Sequence, residues 1–377
     1  MFLIFLLALA AVAVWNWRQW RNDRALALRL RASREPLPAH GSLLTAPKVS
    51  VLVAAWNEAE MIGEHIQSFL GLSYADKELI LCAGGPDSCY ALAREYAGPQ
   101  VVVLEQQAGE GKQASLRRCL EQARGEILFL TDADCLLDDE AFARTLAPLL
   151  QGGEPRSGGV EYLDAATGTS RPLACQESNP FVVHQWCTDL YANARQPDHV
   201  AGLLGRNCAV TRQALMEAGG FDGDVPSGTD YYLAKLLLQK GISIRWVRDS
   251  SVQTRYPETS LSYWRKQSRW VRNLVLHGPR FSAYREVAMA LRTSAVGWAM
   301  LLLPFVAGLR GPIWLALWGV LVAQALLARV RYAAFAHLHR GVRISAQQIA
   351  HTPLYLLVDW VAWSLPLVDL LFRRHRW

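Results

Sequence analysis

The chain has 377 residues, long for one domain, and 51% of them are hydrophobic, so membrane segments are the first thing to seek. The net charge of +6 is carried largely by arginines beside apolar stretches. That pattern suits a membrane surface, and with no zinc-finger, RNA-binding or basic-aromatic pattern it speaks against nucleic acid. Seven widely spaced cysteines without a CxxC speak against a disulfide framework or a zinc site and fit reduced, cytosolic thiols.

Residues 1–17, MFLIFLLALAAVAVWNW, are apolar, and the basic residues Arg18, Arg21, Arg24, Arg29, Arg31 and Arg34 follow them. A secretory signal carries its charge first, so this order predicts an N-terminal transmembrane anchor with the cytosol on the arginine side. Residues 18–47, with Pro36, Pro38, Gly41 and Pro47, then read as a basic juxtamembrane linker.

From residue 49 the pattern alternates. Apolar strands at 49–56, 77–83, 100–106 and 126–131 are each followed by a helical stretch, at 58–70, 87–97, 112–123 and 138–150. Unbroken apolar strands joined by helices predict an α/β fold, a parallel sheet covered on both faces, with ligands at the carboxyl ends of its strands. Residues 151–285 are mixed: helices at 181–196 and 229–241, strands at 203–212 and 242–247, and a basic, Trp-bearing amphipathic stretch at 259–278. Trp264 and Trp270 interleave there with arginines, as in a helix lying in a membrane interface. Three apolar segments close the chain at about 293–309, 312–328 and 349–372, with Arg329, Arg331, Arg340 and Arg343 read as a basic loop. The third contains Pro353, Asp359, Pro366 and Asp369 and can span, kink or lie in the interface.

The strand at 126–131 runs into Asp132-Ala133-Asp134. Past a strand end a loop can turn two such carboxylates together, and with nearby phosphates they hold Mg²⁺ or Mn²⁺, which neutralises a departing diphosphate. Lys112 follows Gly109 and Gly111 at a helix start; the spacing is not a P-loop, yet the position suits a phosphate. Asp230 stands near another helix N-terminus, with Thr229 or Ser227 as caps, and is a candidate general base.

In order along the chain, AAWNEAE, GKQASL, TDAD, GTD and KQSRW resemble the motifs of family 2 glycosyltransferases, over residues of about 48–275. The similar branch is the membrane-bound one of cellulose, chitin, hyaluronan and poly-N-acetylglucosamine synthases and ceramide glucosyltransferases. The resemblance implies the GT-A fold: a Rossmann-like mixed sheet with helices on both faces, here with α-helical transmembrane segments. It implies nucleotide contacts at Asn57 and Glu58, a Gly-Lys position at Lys112, and a metal-and-diphosphate motif at Asp132 and Asp134. It also implies a base at Asp230, and diphosphate and acceptor contacts from Arg269 and Trp270, with Lys266 and Gln267 beside them. The implied reaction is a single displacement with inversion. Three departures stand out. The family's Asp pair after its second strand is replaced by Cys82-Ala83-Gly84-Gly85, with Asp87 further on; Thr-Glu-Asp has become Gly228-Thr229-Asp230; and the Gln of Gln-x-x-Arg-Trp falls on Lys266.

The expectation is therefore a multi-pass enzyme of the inner or plasma membrane. Its layout is an anchor at 1–17, the linker at 18–47, a cytosolic GT-A domain at 48–258, an interface helix region at 259–285 and a membrane region at 286–377. The partners are a nucleotide-sugar donor, UDP-linked by analogy, the bilayer, and an acceptor that is a membrane lipid or a growing glycan. FVVHQW at 181–186 and the Trp-rich stretch are candidates for presenting a lipid head group. A processive polysaccharide synthase and a non-catalytic nucleotide-sugar-binding scaffold are the alternatives. A Rossmann oxidoreductase lacks support, because no G-x-G-x-x-G follows the first strand.

Overall fold

The computed structural model describes residues 2–34, 47–150, 163–223, 225 and 227–372. Residues 35–46 of the expected linker and the terminal RRHRW lie outside the described residues. In chain order the elements are α1 (Phe2–Ala32), β1 (Val49–Trp56), α2 (Ile62–Leu70), β2 (Lys77–Gly84), α3 (Cys89–Arg94), β3 (Val101–Glu105), α4 (Gly111–Gln122), β4 (Ile127–Leu130), β5 (Cys135–Leu136) and α5 (Asp139–Leu150). They continue as β6 (Ala165–Pro172), α6 (Pro180–Asn193), β7 (His199–Val200), β8 (Cys208–Thr211), α7 (Arg212–Glu217), α8 (Thr229–Gln239), β9 (Ile244–Thr254), α9 (Ser260–His277), α10 (Tyr284–Arg310), α11 (Pro312–Arg340) and α12 (Ala346–Leu371). They form two compact units. The sheet unit takes Glu35–Ala174 and Gln196–Arg255; the helical unit takes Met1–Arg34, Cys175–Arg195 and Tyr256–Trp377. The catalytic domain expected at 48–258 is thus interrupted: 175–195, with α6, belongs to the helical unit.

The sheet has the order β3-β2-β1-β4-β8-β6-β9-β5, with β7 paired to β9. β3, β2, β1 and β4 are parallel, as their unbroken apolar runs predict. Alternate residues explain those runs. Val49, Val51 and Val53 pack with Ile62, Ile66 and Phe69 of α2 on one face, while Leu52, Ile80 and Leu128 pack with Leu116 of α4 and Leu233 of α8 on the other. Both faces are dry, and each buried Leu, Ile or Phe contributes roughly 1.5–3 kcal/mol. Beyond β4 the sheet turns mixed. β8 runs antiparallel to β4, and β6 pairs antiparallel with β8 and parallel with β9.

The turn in direction is held by a buried polar clasp. The register of β6 on β9 shifts between Thr167 and Thr169, at Gly168. Asn207, fully buried, donates from Nδ2 to Thr169 O and to Ser250 Oγ, both at 2.9 Å, and accepts at Oδ1 from Thr145 Oγ1 at 2.9 Å. Ser250 Oγ donates in turn to Ala141 O at 2.9 Å. Each donor and acceptor is matched, the condition under which a buried polar cluster favours one register. There is no room at Gly168 for a side chain: a Cβ would stand 2.3 Å from Asn207 Nδ2 and 2.7 Å from Ser250 Oγ.

In the helical unit α1 is one helix of 31 residues, so the break expected after residue 17 does not occur; the arginines through Arg31 continue the helix. The expected basic loop is also absent, because α11 continues to Arg340, and Arg329 and Arg331 are buried. Their charges explain how. Arg331 Nε donates to Asp23 Oδ2 of α1 at 2.9 Å, and Arg329 Nη2 donates to Asp359 Oδ2 of α12 at 2.6 Å. Asp359 also accepts from Tyr263 Oη at 2.8 Å and from His184 Nε2 at 3.2 Å. Arginines that look like loop residues by charge are helix-to-helix ties. Among the described residues two helices, α10 and α11, are long and apolar enough to cross a membrane; α1 and α12, expected as further spans, are not in that set. The turn expected at residues 310–312 is present, with Gly311 between the two helices at φ 113°.

Two outcomes test these ties. Gly168→Ala in the sheet unit is expected to destabilise by about 1–3 kcal/mol, the usual cost of overpacking. Asp359→Ala leaves Arg329 buried without its carboxylate and is expected to cost about 3–5 kcal/mol. Thermal melts of the detergent-solubilised protein read both, and unchanged melts would remove the argument.

Candidate active site

The sheet unit gathers the carboxyl ends of β1, β2 and β4 at one edge, since the three run parallel. β1 ends in Trp56 and passes to Asn57, whose φ of 60° is left-handed, a conformation that Asn tolerates better than most residues. Asn57 N–H donates to Gly84 O at 3.1 Å, tying the β1 exit to the β2 exit. The carbonyl of Glu58 accepts from the amides of Met61 and Ile62, at 3.0 and 2.9 Å, and starts α2.

The glycines at the end of β2 explain the missing Asp pair. A Cβ at Gly84 would lie 2.4 Å from Gln106 O, and one at Gly85, where φ is 122°, would lie 2.3 Å from Asn57 Oδ1. No side chain of any kind fits either place. Asp87 is no substitute, because its carboxylate accepts from the amides of Ala59 and Cys89, at 2.9 and 3.2 Å, and so anchors the loop.

After β4 the chain turns through Asp132-Ala133-Asp134, with Cys135 N–H donating to Asp132 O at 3.1 Å. Asp132 is ion-paired with Lys112 in the first turn of α4. Gly111 opens that helix at φ 75°, and Gly109 precedes it at φ 83°, so both glycines serve backbone geometry. Desolvation lowers the affinity of Lys112 for its proton, but Asp132 and Asp230 outweigh it and hold the ammonium above its ordinary pKa. Lys112 is thus a firm cation facing both acids. Asp230 lies in the first turn of α8, whose N-cap is Gly228 at φ 77°, where Thr229 or Ser227 was expected. Its Oδ1 accepts from the Tyr231 amide at 2.9 Å, and its Oδ2 from the Gly205 amide at 3.4 Å. A Cβ at Gly205 would stand 2.9 Å from the Asp230 Cβ, so only glycine lets that loop lie against the acid.

The negative potential at this edge is large. Burial, and then Asp134, push the Glu58 carboxyl up to about 7, with Asp132 and Asp87 adding to the rise and Arg255 opposing it. A buried carboxyl with acidic neighbours, as Glu58 is, marks a place that fits a cation. Among the described residues no group of three His, Cys, Asp or Glu side chains is set to hold a metal alone. Mg²⁺ and Mn²⁺ take one or two carboxylates and complete their shell with water and substrate phosphate. Asp132 and Asp134 are the residues that could hold it.

Three supporting residues escaped the sequence reading. His65 on α2 is buried, which depresses its pKa and keeps it neutral; its Nδ1–H donates to Cys135 O at 2.7 Å and props the loop carrying Asp134. Arg255 N–H donates to Asp134 O at 3.2 Å, and its guanidinium pairs with Glu60 at 2.9 Å. Arg206, on the loop with Gly205, adds a positive charge near Lys112. Only the odd histidine among the apolar residues of α2 gave any sequence signal.

The structure thus brings Asn57, Glu58, Lys112, Asp132, Asp134 and Asp230 together in the sheet unit. Lys266, Gln267, Arg269 and Trp270 lie on α9 in the helical unit. There Lys266 Nζ stands 4.7 Å from the centre of the Tyr256 ring, and Arg269 and Trp270 are exposed.

Residues 47–273 match the model of the family described as Glycosyltransferase like family 2. The β-monoglucosyldiacylglycerol synthase of Synechocystis sp. is 23% identical over 306 residues, 76% of this chain and 60% of that protein. A poly-β-1,6-N-acetyl-D-glucosamine synthase of Staphylococcus epidermidis is 30% identical over 95 residues, 25% of this chain and 23% of that one. The chain therefore spans only part of the length of these relatives. The solved mannosyltransferase PcManGT from Pyrobaculum calidifontis, in complex with GDP-Man and Mn²⁺, shares the fold, with a TM-score of 0.53 at 19% identity over 96% of this chain and 99% of that one. A parallel sheet that delivers paired carboxylates to one edge, and a family match over most of the chain, lead to one conclusion: the chain belongs to glycosyltransferase family 2, with the GT-A fold and two helices suited to a membrane.

Proposed function

We propose that the enzyme transfers a sugar, with inversion, from a nucleotide sugar to a membrane lipid at the cytosolic face of the inner or plasma membrane. The observation that carries this reading is that Lys112, at the start of α4, is ion-paired with Asp132 of the diphosphate motif in the same sheet unit as the candidate base Asp230. UDP is the proposed nucleotide by family analogy alone. The lipid acceptor is supported by the likeness to β-monoglucosyldiacylglycerol synthases and by the two membrane-length helices.

In this mechanism Asp230 accepts the proton of the acceptor hydroxyl, whose oxygen attacks the anomeric carbon from the face opposite the leaving group. The amide of Gly205 holds the Asp230 carboxylate in place. Lys112 holds Asp132 before the donor arrives and then shares its charge with the diphosphate. A divalent cation at Asp132 and Asp134 supplies further charge neutralisation on the leaving diphosphate when bound. Asn57 and Glu58 line the nucleotide side. With glycine at 84 and 85, base recognition rests on backbone groups and on this β1 exit. Arg269 and Trp270, with Lys266 and Gln267, are the proposed diphosphate and acceptor contacts of α9.

The experiment is release of nucleoside diphosphate by the detergent-purified protein, screened over nucleotide sugars with and without diacylglycerol. Lipid is expected to stimulate release and to accept one sugar per molecule. A ladder of polymer would instead establish the processive reading, and no turnover at all would favour a scaffold. Asp230→Asn is expected to lower kcat by about 10²–10⁴-fold with donor KM nearly unchanged. Gly205→Ala, which shifts Asp230, is expected to cost on the order of 10²-fold in kcat, as a small misplacement of a reacting group does. Full activity in Asp230→Asn would remove the assignment of the base.

A further inference from the structure

The helical unit contains a recess of about 340 Å³ between α6, α11 and α12, within the size range of small-ligand pockets. It belongs to no step of the transfer mechanism. His184 and Thr188 line it from α6, Arg329 and Val330 from α11, and Gln348 and Ile349 from α12. Val330 is 37% exposed and Ile349 53%, so the recess opens at an apolar lip, while Arg329 at 9% is buried.

Arg329 is the unusual wall. Asp359 takes its Nη2, and its guanidinium lies 5.4 Å from the Tyr332 ring centre and 5.6 Å from that of Trp363, so it is held in place. Its Nε–H is buried and, among the described residues, has no acceptor. A donor in that state carries a desolvation cost that an acceptor oxygen would remove. The side-chain amide of Gln348, also buried, donates to a sulfur, Cys187 Sγ at 4.0 Å, a weak acceptor. Among the described residues no carboxylate lines the recess. The guanidinium charge is already balanced by Asp359, so a free multivalent anion gains little, whereas an amphiphile gains twice. Its head oxygens satisfy Arg329 and Gln348, and its chains cover Val330 and Ile349 beside α11, a helix suited to a bilayer.

We propose that this recess binds a phosphodiester membrane lipid, whose head oxygens accept from Arg329 and Gln348. The site goes beyond the transfer reaction, and its test does not depend on turnover. The full-length protein in detergent is washed free of lipid and titrated with short-chain phosphatidylglycerol, with diacylglycerol of the same chains, and with inorganic phosphate; binding is read by native mass spectrometry and calorimetry. Phosphatidylglycerol is expected to bind on the order of tenfold more tightly than diacylglycerol, the worth of one hydrogen bond to a charged group, and inorganic phosphate not to compete. Ala334→Trp fills the recess from a half-buried position and is expected to abolish phosphatidylglycerol binding with its melt retained. Arg329→Lys keeps a charge for Asp359 but removes the Nε–H, and is expected to weaken phosphatidylglycerol by on the order of tenfold while leaving diacylglycerol unchanged. Equal binding of the two lipids, saturation by phosphate alone, or wild-type affinity in both variants would overturn the proposal.

Discussion

β1 lies between β2 and β4 and is parallel to both. Everything at the candidate active site depends on that pairing. Parallel neighbours end at the same edge, so the residues that leave the three strands must meet: Asn57 and Glu58, the glycines at 84 and 85, and the Asp132–Asp134 loop. The alternating contacts of β1, with α2 on one face and α4 and α8 on the other, prevent a register slip, which would turn core residues to the wrong face.

That edge carries more negative charge than its own cations balance. Glu58 shows it, with its carboxyl near neutrality at about 7 because of burial and its acidic neighbours. Lys112 tempers the imbalance between Asp132 and Asp230. The metal and diphosphate of the proposed reaction would bring opposite charges together at such an edge. The packed glycines at the β2 exit distinguish this chain from the family pattern, and the reason is steric: backbone and Asn57 occupy the space that an acid would need.

The helical unit uses charge differently. Asp23 and Asp359 are buried among helices and tie α1 to α11 and α12 to α11 through Arg331 and Arg329. Buried pairs of this kind add little net stability compared with apolar packing, but they penalise any arrangement that separates the partners. They therefore specify which helices lie side by side. The orphaned Nε–H of Arg329 is what remains after that task, and it is the group on which the lipid site turns.

The four parallel strands, their covering helices and the acids at their ends were legible along the chain, because a strand buried on both faces must be apolar throughout and a ligand edge must be polar. The motifs from AAWNEAE to KQSRW carried the family for the same local reason: each is a short run whose chemistry does not depend on distant partners. Long-range pairing was not legible. β6 gives no apolar run, since Thr167 and Thr169 are buried through hydrogen bonds to Asn207 and Ser250, far away in sequence. Arg329 and Arg331 read as loop charges because the aspartates that neutralise them stand on other helices. The roles of His65 and Arg255 are likewise set by backbone carbonyl and amide groups that folding brings near. Local pattern sets which segments are buried and which groups can react, but the partner that satisfies a buried polar group is chosen only when separate segments pack.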